Sequence, residues 1–282
     1  MPILDWTRDG KDWPNREASQ FLRAGNTDWH VQVMGRGPDL LLAHGTGASS
    51  HSWAGLLPLL AERFRVIAPD LPGHAFSKAA SVFNLSIPGM AQSLAGLLEA
   101  LGAKPTVVIG HSAGGPVLAR MAIDEMIAPD RIIALNGAFL PFKGLAATIF
   151  PPVAKALIWN PLIPQAVAWT AADRASVKRL IDGTGSMIDA RGIELYHRLF
   201  TCPRHIRSTI NMMARWDLDA VLADLPRLET PVELVAAERD KTVAPANQTE
   251  VAAIIPDAMV RPLDGLGHLA HEEDPSAVAA LI

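Results

Sequence analysis

The chain of 282 residues has a single cysteine, Cys202, so no internal disulfide can form and no cysteine-based zinc site can be completed. That usage suits a reducing compartment and reads Cys202 as a buried thiol. Charge is sparse and balanced. The 25 basic and 29 acidic side chains give a formal net charge of −4, with no like-charge run long enough to attract nucleic acid or an anionic membrane. The N-terminus, MPILDWTRDGKDW, carries charges where a secretory signal needs an apolar stretch, so no export is inferred and the cytoplasm is expected. Residues 156–172 are free of charge, but Asn160, Pro161 and Pro164 interrupt them, and they fall short of the roughly 20 apolar residues that span a bilayer. No internal repeat is present. No clustered His, Cys, Asp or Glu spacing points to a metal, so cofactor-free chemistry on a small molecule is expected.

What is abundant is apolar. With 49% hydrophobic and 19% charged residues, the chain has ample material for a large core. From Trp29 onward, short β-rich runs alternate with longer helix-compatible ones. Strands are expected at 29–34, 40–43, 65–68, 106–109, 131–135, 232–236 and 259–263. Most are unbroken Val, Ile and Leu, as strands buried on both faces require. Residues 90–101 place Met90, Leu94, Leu97, Leu98 and Leu101 at helical spacing, and Gly102 follows as a stop signal. The pattern predicts an α/β fold, a mostly parallel central sheet flanked by helices. The alternation lapses between 136 and about 217, a gap far longer than an ordinary connection. An inserted helical cap at 137–216 is expected, with the core formed by 1–136 and 217–282. The cap's first half, 137–172, carries only Lys143 and Lys155 as charges, and Pro151, Pro152, Pro161 and Pro164 break it into short pieces. Such a surface must be covered by something.

The strand at 106–109 runs into Gly110-His111-Ser112-Ala113-Gly114, a G-x-S-x-G sequence. Three such fixed positions arise by chance roughly once in ten chains of this length, so context decides. A β-branched run before it and a helix-like stretch from Val117 to Ile123 after it match a strand–turn–helix that exposes the serine hydroxyl. Ser112 is therefore the candidate nucleophile. A serine needs a base, and the base an orienting carboxylate. The strand at 259–263 is followed by Asp264-Gly265-Leu266-Gly267-His268, and that at 232–236 by Ala237-Glu238-Arg239-Asp240. His268 is the candidate base and Asp240 the candidate acid, with His271 as rival base and Glu238 and Asp264 as rival acids. A developing oxyanion needs preorganised donors, each worth roughly 3–4 kcal/mol. The backbone N–H groups of Ala113 and of Thr46, in His44-Gly45-Thr46-Gly47, are the candidates. His44 and His111 are expected to shape their loops, and His30, His51, His74, His197 and His205 to be turn, surface or core residues.

In order along the chain, HGTG, DLPGH, GHSAGG, the loop ending at Asp240, and GLGHLAHEE resemble the α/β-hydrolase superfamily from about residue 30 to the end. A narrower resemblance rests on DW-RDG-DWPN, HGTGASSHSW, ALNGAFLPF, LIDGTGSMIDARGIELY and NMMARWDL. These are similar to the BchO group, hydrolase-like proteins of bacteriochlorophyll biosynthesis named as magnesium-chelatase accessories. The similarity covers nearly the whole chain and implies a role around magnesium-porphyrin intermediates. Two positions depart from the superfamily pattern. Ala75 replaces the second glycine of DxxGxG, an exchange expected to be harmless, and Ala237 replaces a glycine that often opens the acid loop.

These residues imply a serine hydrolase or acyl-transfer enzyme for a bulky lipophilic substrate, such as a porphyrin ester. Phe139, Phe142, Phe150, Trp159 and Trp169 of the cap are the candidate binding residues. A competing reading is a tetrapyrrole-binding protein, or one docking on magnesium chelatase or a membrane surface through the apolar cap, with catalysis incidental. A third keeps the triad for chemistry other than hydrolysis.

Overall fold

The computed structural model describes residues 3–141 and 163–282. Its centre is a sheet whose strands alternate their side chains between two apolar layers. Four of its strands are β3 (Asp39–Ala43), β6 (Pro105–His111), β7 (Arg131–Leu135) and β8 (Val232–Ala237). Leu41, Val108, Ile132 and Leu234 point into one layer, together with Met90, Leu94 and Leu97. Leu40, Leu42, Ile109, Ile133 and Val235 point into the other, with Leu56, Leu57 and Leu60. Burial on both faces is why these strands read as unbroken apolar runs.

Nine strands are formed among the described residues, with β1 (Ser19–Ala24), β2 (Thr27–Met34), β4 (Arg65–Pro69), β5 (Lys78–Ala79) and β9 (Ala258–Leu263) completing the set. Their order is β1-β2-β4-β3-β6-β7-β8-β9, and β5 pairs with β2. The strands from β4 through β3 and β6 to β9 are mutually parallel, whereas β1, β2 and β5 pair antiparallel at one side. All seven expected strands are present, within two residues at each end. β1 and β5 were not expected: β1, at the sheet edge, has only half-buried and exposed positions, and β5 has two residues. The helix expected at 90–101 runs over Ile87–Ala100. Ser86 caps it by accepting the Gly89 N–H, and Pro88 sits in its first turn, where a missing N–H costs nothing.

Between β7 and β8 the described residues form helices Ile163–Thr170, Arg174–Asp182, Ala190–Phe200, Pro203–Ala214 and Leu218–Asp224, and no strand. The helices Arg174–Asp182 and Ala190–Phe200 lie on the loops at the carboxyl edge of the sheet, whereas Leu218–Asp224 packs through Val221 into the main core and pairs Asp224 with Arg120. Val177, Ile181 and Tyr196 pack with Ala48 and Leu269, while Leu195 and Leu199 pack with Trp13 and Phe76. The N-terminal arm ties down the same helices, since Asp12 pairs with both Arg191 and Arg198. None of the helices among the described residues is long and apolar enough to cross a membrane.

Ala75 is a correction to expectation. It adopts φ +39 while almost fully buried, a conformation that costs an L residue roughly 1–2 kcal/mol and a glycine almost nothing. The alanine is therefore a strained substitution. Gly114 is constrained differently: a Cβ there would lie 2.1 Å from the Ala43 carbonyl oxygen, because the helix Gly114–Ile123 starts directly against β3. Gly114→Ala is expected to lower stability by about 2–3 kcal/mol, read as a shift in urea midpoint at unchanged slope. A midpoint equal to the parent's would mean that helix and strand are not in contact as described.

Candidate active site

Because β3, β6, β7, β8 and β9 run parallel, the loops after them emerge along one edge of the sheet. These loops begin at His44, Ser112, Asn136, Glu238 and Asp264. Ser112 sits at the tip of the central one with φ +50, a left-handed turn uncommon for a non-glycine residue. The turn is held at both ends: Ser112 N–H donates to the Leu135 carbonyl at 3.0 Å, and its carbonyl accepts from Ala138 N–H at 3.0 Å and Gly115 N–H at 3.2 Å. The glycine at position 110 is equally required. A Cβ on Gly110 would fall 2.5 Å from backbone atoms of Gly114 and Gly115.

His268 Nδ1 lies 2.7 Å from Asp240 Oδ2, with the Asp240 side chain fully buried. The other carboxylate oxygen accepts the N–H groups of Thr242 and Val243 at 2.7 and 2.8 Å, so Asp240 is satisfied without a cation. This pairing leaves His268 Nε2 as the free nitrogen of the ring. Nε2 and Ser112 Oγ are not hydrogen-bonded to each other here, a contact that often tightens only with substrate bound. The rival groups lie elsewhere. Glu238 and Asp264 are exposed, with Glu238 accepting the Gly265 N–H. His271 is buried against Trp53 and His111, and its Nε2 meets Ser52 Oγ at 2.7 Å. Ala237, the other departure from the superfamily pattern, is the last residue of β8 and fits without a positive φ.

The Thr46 and Ala113 N–H groups donate no hydrogen bond among the described residues. The orientation of Thr46 follows from its neighbour. His44 Nδ1–H donates to the Gly45 carbonyl at 2.8 Å while its Nε2 accepts from Leu71 N–H at 2.9 Å. In a trans peptide the N–H points opposite the C=O, so fixing the Gly45 carbonyl on His44 turns the Thr46 N–H the other way. Gly45 itself packs on the Ser112 turn, since a Cβ there would stand 3.1 Å from Ser112 Cβ.

Asn136 and His205, to which the sequence reading gave no place in the site, and His111, expected to shape its loop, complete the frame. Asn136, at φ +49 after β7, donates through Nδ2 to the His268 and Gly267 carbonyls at 2.9 and 3.2 Å, and accepts the Ala237 N–H at 2.9 Å. It thereby links the loops that carry Asp240 and His268. His111 Nε2–H donates to the same His268 carbonyl at 2.9 Å. His205, on the helix Pro203–Ala214, donates to the Gly47 carbonyl and accepts from Ala75 N–H, joining that helix to the His44–Gly47 loop. The only sequence sign of Asn136 was its place within ALNG immediately after a strand; His205 carried none.

Of the proposed cap aromatics, Phe142, Phe150 and Trp159 lie outside the described residues. Phe139 differs from expectation: it is 1% exposed and packs in the main core, with Gly115 and Gly137 beneath its ring. Trp169 is 83% exposed.

Comparison with known proteins agrees with this fold. The alpha/beta hydrolase family matches residues 40–281. Over 273 residues the chain is 38% identical to the magnesium-chelatase 30 kDa subunit of Rhodobacter capsulatus, covering 96% of this chain and 95% of that protein. It is 29% identical over 269 residues to the pyrrolizixenacetamide deacetylase of Xenorhabdus hominickii, covering 93% and 95%. Among solved structures, the epoxide hydrolase CorEH superposes with a TM-score of 0.78 at 23% identity over 93% of this chain and 96% of that one, a likeness of fold.

The surroundings of the site are rich in buried neutral imidazole. Burial pushes His44, His51 and His271 down to about 3 and His74 to about 4, and takes His111 and His205 well below the usual value. Burial acts oppositely on Glu272, pushing it up to about 7 against hydrogen bonds from Ser52 and Tyr196. Each histidine stays neutral in the fold but takes a proton in the unfolded chain below its ordinary 6.5, so stability falls as pH drops from 6.5 toward 4. Glu272 holds a proton in the fold that the unfolded chain loses above 4.5, and so partly offsets this. Six imidazoles outweigh one carboxyl. The unfolding free energy is expected to drop steeply below pH 6.5, by up to about 1.4 kcal/mol per pH unit per histidine, in urea titrations at stepped pH. A flat profile from pH 6.5 to 4.5 would contradict the burial.

Proposed function

Because this chain belongs to the alpha/beta hydrolase family, and resembles the BchO group along nearly its whole length, we propose that it is a serine hydrolase of ester-like bonds. The observation that carries the reading is the buried His268–Asp240 hydrogen bond at the sheet edge that also presents Ser112 in its strained turn. Ser112 Oγ attacks a carbonyl carbon while His268 Nε2 takes its proton. Asp240 holds the imidazole in the tautomer that leaves Nε2 free and stabilises the imidazolium. The tetrahedral oxyanion accepts hydrogen bonds from the Thr46 and Ala113 N–H groups, which donate to no other group among the described residues. Collapse expels the alcohol, which receives the proton from His268. Water then attacks the acyl-serine with His268 as base, releasing the acid and restoring Ser112.

The substrate proposed is bulky and lipophilic, a porphyrin ester in the magnesium branch of tetrapyrrole chemistry. Support comes from the first half of the cap, with its two charges, and from the name of the Rhodobacter capsulatus relative. The Xenorhabdus hominickii relative, a deacetylase by name, supports chemistry at an acyl group. The Rhodobacter name also favours a second reading, in which the pocket holds a tetrapyrrole or the cap meets magnesium chelatase or a membrane surface while catalysis is incidental. Exposed Trp169 suits such a contact.

An active-site-directed fluorophosphonate separates the two. Rapid modification of Ser112, located by mass spectrometry, is expected, with none in Ser112→Ala and a rate about a thousandfold lower in His268→Ala and Asp240→Asn. Folded protein that stays unlabelled from pH 6 to 9, yet binds magnesium-bearing or magnesium-free porphyrins at equilibrium, would replace the hydrolase with the binding protein.

A further inference from the structure

The segment Gly183-Thr184-Gly185-Ser186-Met187, between the helices Arg174–Asp182 and Ala190–Phe200, is wedged between the loops that carry Asp240 and His268. On the acid side, the Thr184 carbonyl accepts the Lys241 N–H at 3.0 Å. Gly185, at φ +86, is pressed so closely on the Arg239 carbonyl that a Cβ would lie 1.9 Å from its oxygen. On the base side, a Cβ on Gly267 would fall 2.4 Å from the Gly185 carbonyl. Ser186 is fully buried, and its Oγ accepts the Leu269 N–H at 2.8 Å. Glu273, with its side chain 4% exposed, accepts the Gly267 N–H through Oε1 at 2.7 Å. Its Oε2 accepts the Met187 N–H at 3.1 Å and faces Arg239 at 3.4 Å.

The N–H groups immediately before and after His268 are thus both held by side chains, one from the inserted segment and one from a carboxylate bridging to it. The His268 carbonyl is held from the opposite side by His111 and Asn136. With these bonds in place the imidazole has a fixed backbone from which its Nδ1 meets Asp240. A shift of the inserted helices relative to the sheet would pull on Leu269 and Gly267 directly.

We propose that Ser186 and Glu273 are positioning residues for His268, so that the segment 183–187 is part of the catalytic frame and not of a lid that lifts away from it. The proposal rests on the reading of His268 as the base. It assigns a task to the GTGSM stretch that no motif of the triad requires.

The test uses full-length protein with 15N-labelled histidine and two readouts. In proton NMR, the low-field Nδ1–H signal of His268, identified by its loss in Asp240→Asn, reports the acid–base bond without any turnover. Fluorophosphonate labelling, analysed as maximal rate against half-saturating concentration, reports reactivity. Ser186→Ala and Glu273→Gln are expected to broaden or abolish the signal. They should also lower the maximal labelling rate roughly 10- to 100-fold, with little change in half-saturation, the size of effect that an ångström of misplacement produces. Ser186→Thr, which keeps the hydroxyl, should restore much of both. Ser93→Ala controls for destabilisation alone: it deletes a buried hydroxyl bonded to Gly89 and Asn84, remote from the site, and should leave signal and rate as in the parent. Folded Ser186→Ala and Glu273→Gln proteins with parental signal and rate would overturn the proposal, as would the absence of the signal from the parent. If the parent shows the signal but is never labelled, the hydrolase reading falls. The positioning then stands or falls on the variants' NMR alone.

Discussion

The hydrogen bond between His268 and Asp240 is the interaction on which the arrangement of the site depends. Each partner sits in a loop that has no regular structure of its own, so its place must come from elsewhere. Asp240 is fixed by two backbone N–H groups, and His268 by bonds to the peptides on either side of it. A carboxylate buried without a cation is costly unless its oxygens are filled, and here three donors fill them. The parallel sheet contributes the coarse placement, by ending β6, β8 and β9 at one edge, and the polar bonds contribute the last ångström.

A second feature follows from that economy. Two buried histidines are used as two-ended connectors: one nitrogen accepts and the other donates, so a neutral ring joins two backbone groups from separate segments of the chain. His44 joins Leu71 to Gly45, and His205 joins Ala75 to Gly47. Neutrality is what makes this workable inside the core, and burial enforces it. Both connectors bear on the loop that turns the Thr46 N–H away from the Gly45 carbonyl.

The central strands were legible because burial on both faces leaves a local mark, an unbroken apolar run, at each of them. β1 left no such mark, being half exposed, and β5 is too short to leave any. Ser112, Asp240 and His268 were legible because each follows a strand end in a loop of small or polar residues, and the structure brings the latter two into contact. Asn136, His205, Ser186 and Glu273 were not, because what defines them is a partner more than thirty residues away or a bond to a backbone N–H, and neither has a sequence pattern. Phe139 shows the converse error. Its apolar neighbours suggested a surface to be covered, but the chain buries it beside Gly115.

The most direct test of the account is the crystal structure of the protein after phosphonylation. The account predicts phosphorus bonded to Ser112 Oγ, the phosphonyl oxygen accepting from the N–H groups of Thr46 and Ala113, and the His268–Asp240 bond intact. An adduct on another side chain, or a phosphonyl oxygen turned away from both N–H groups, would contradict it.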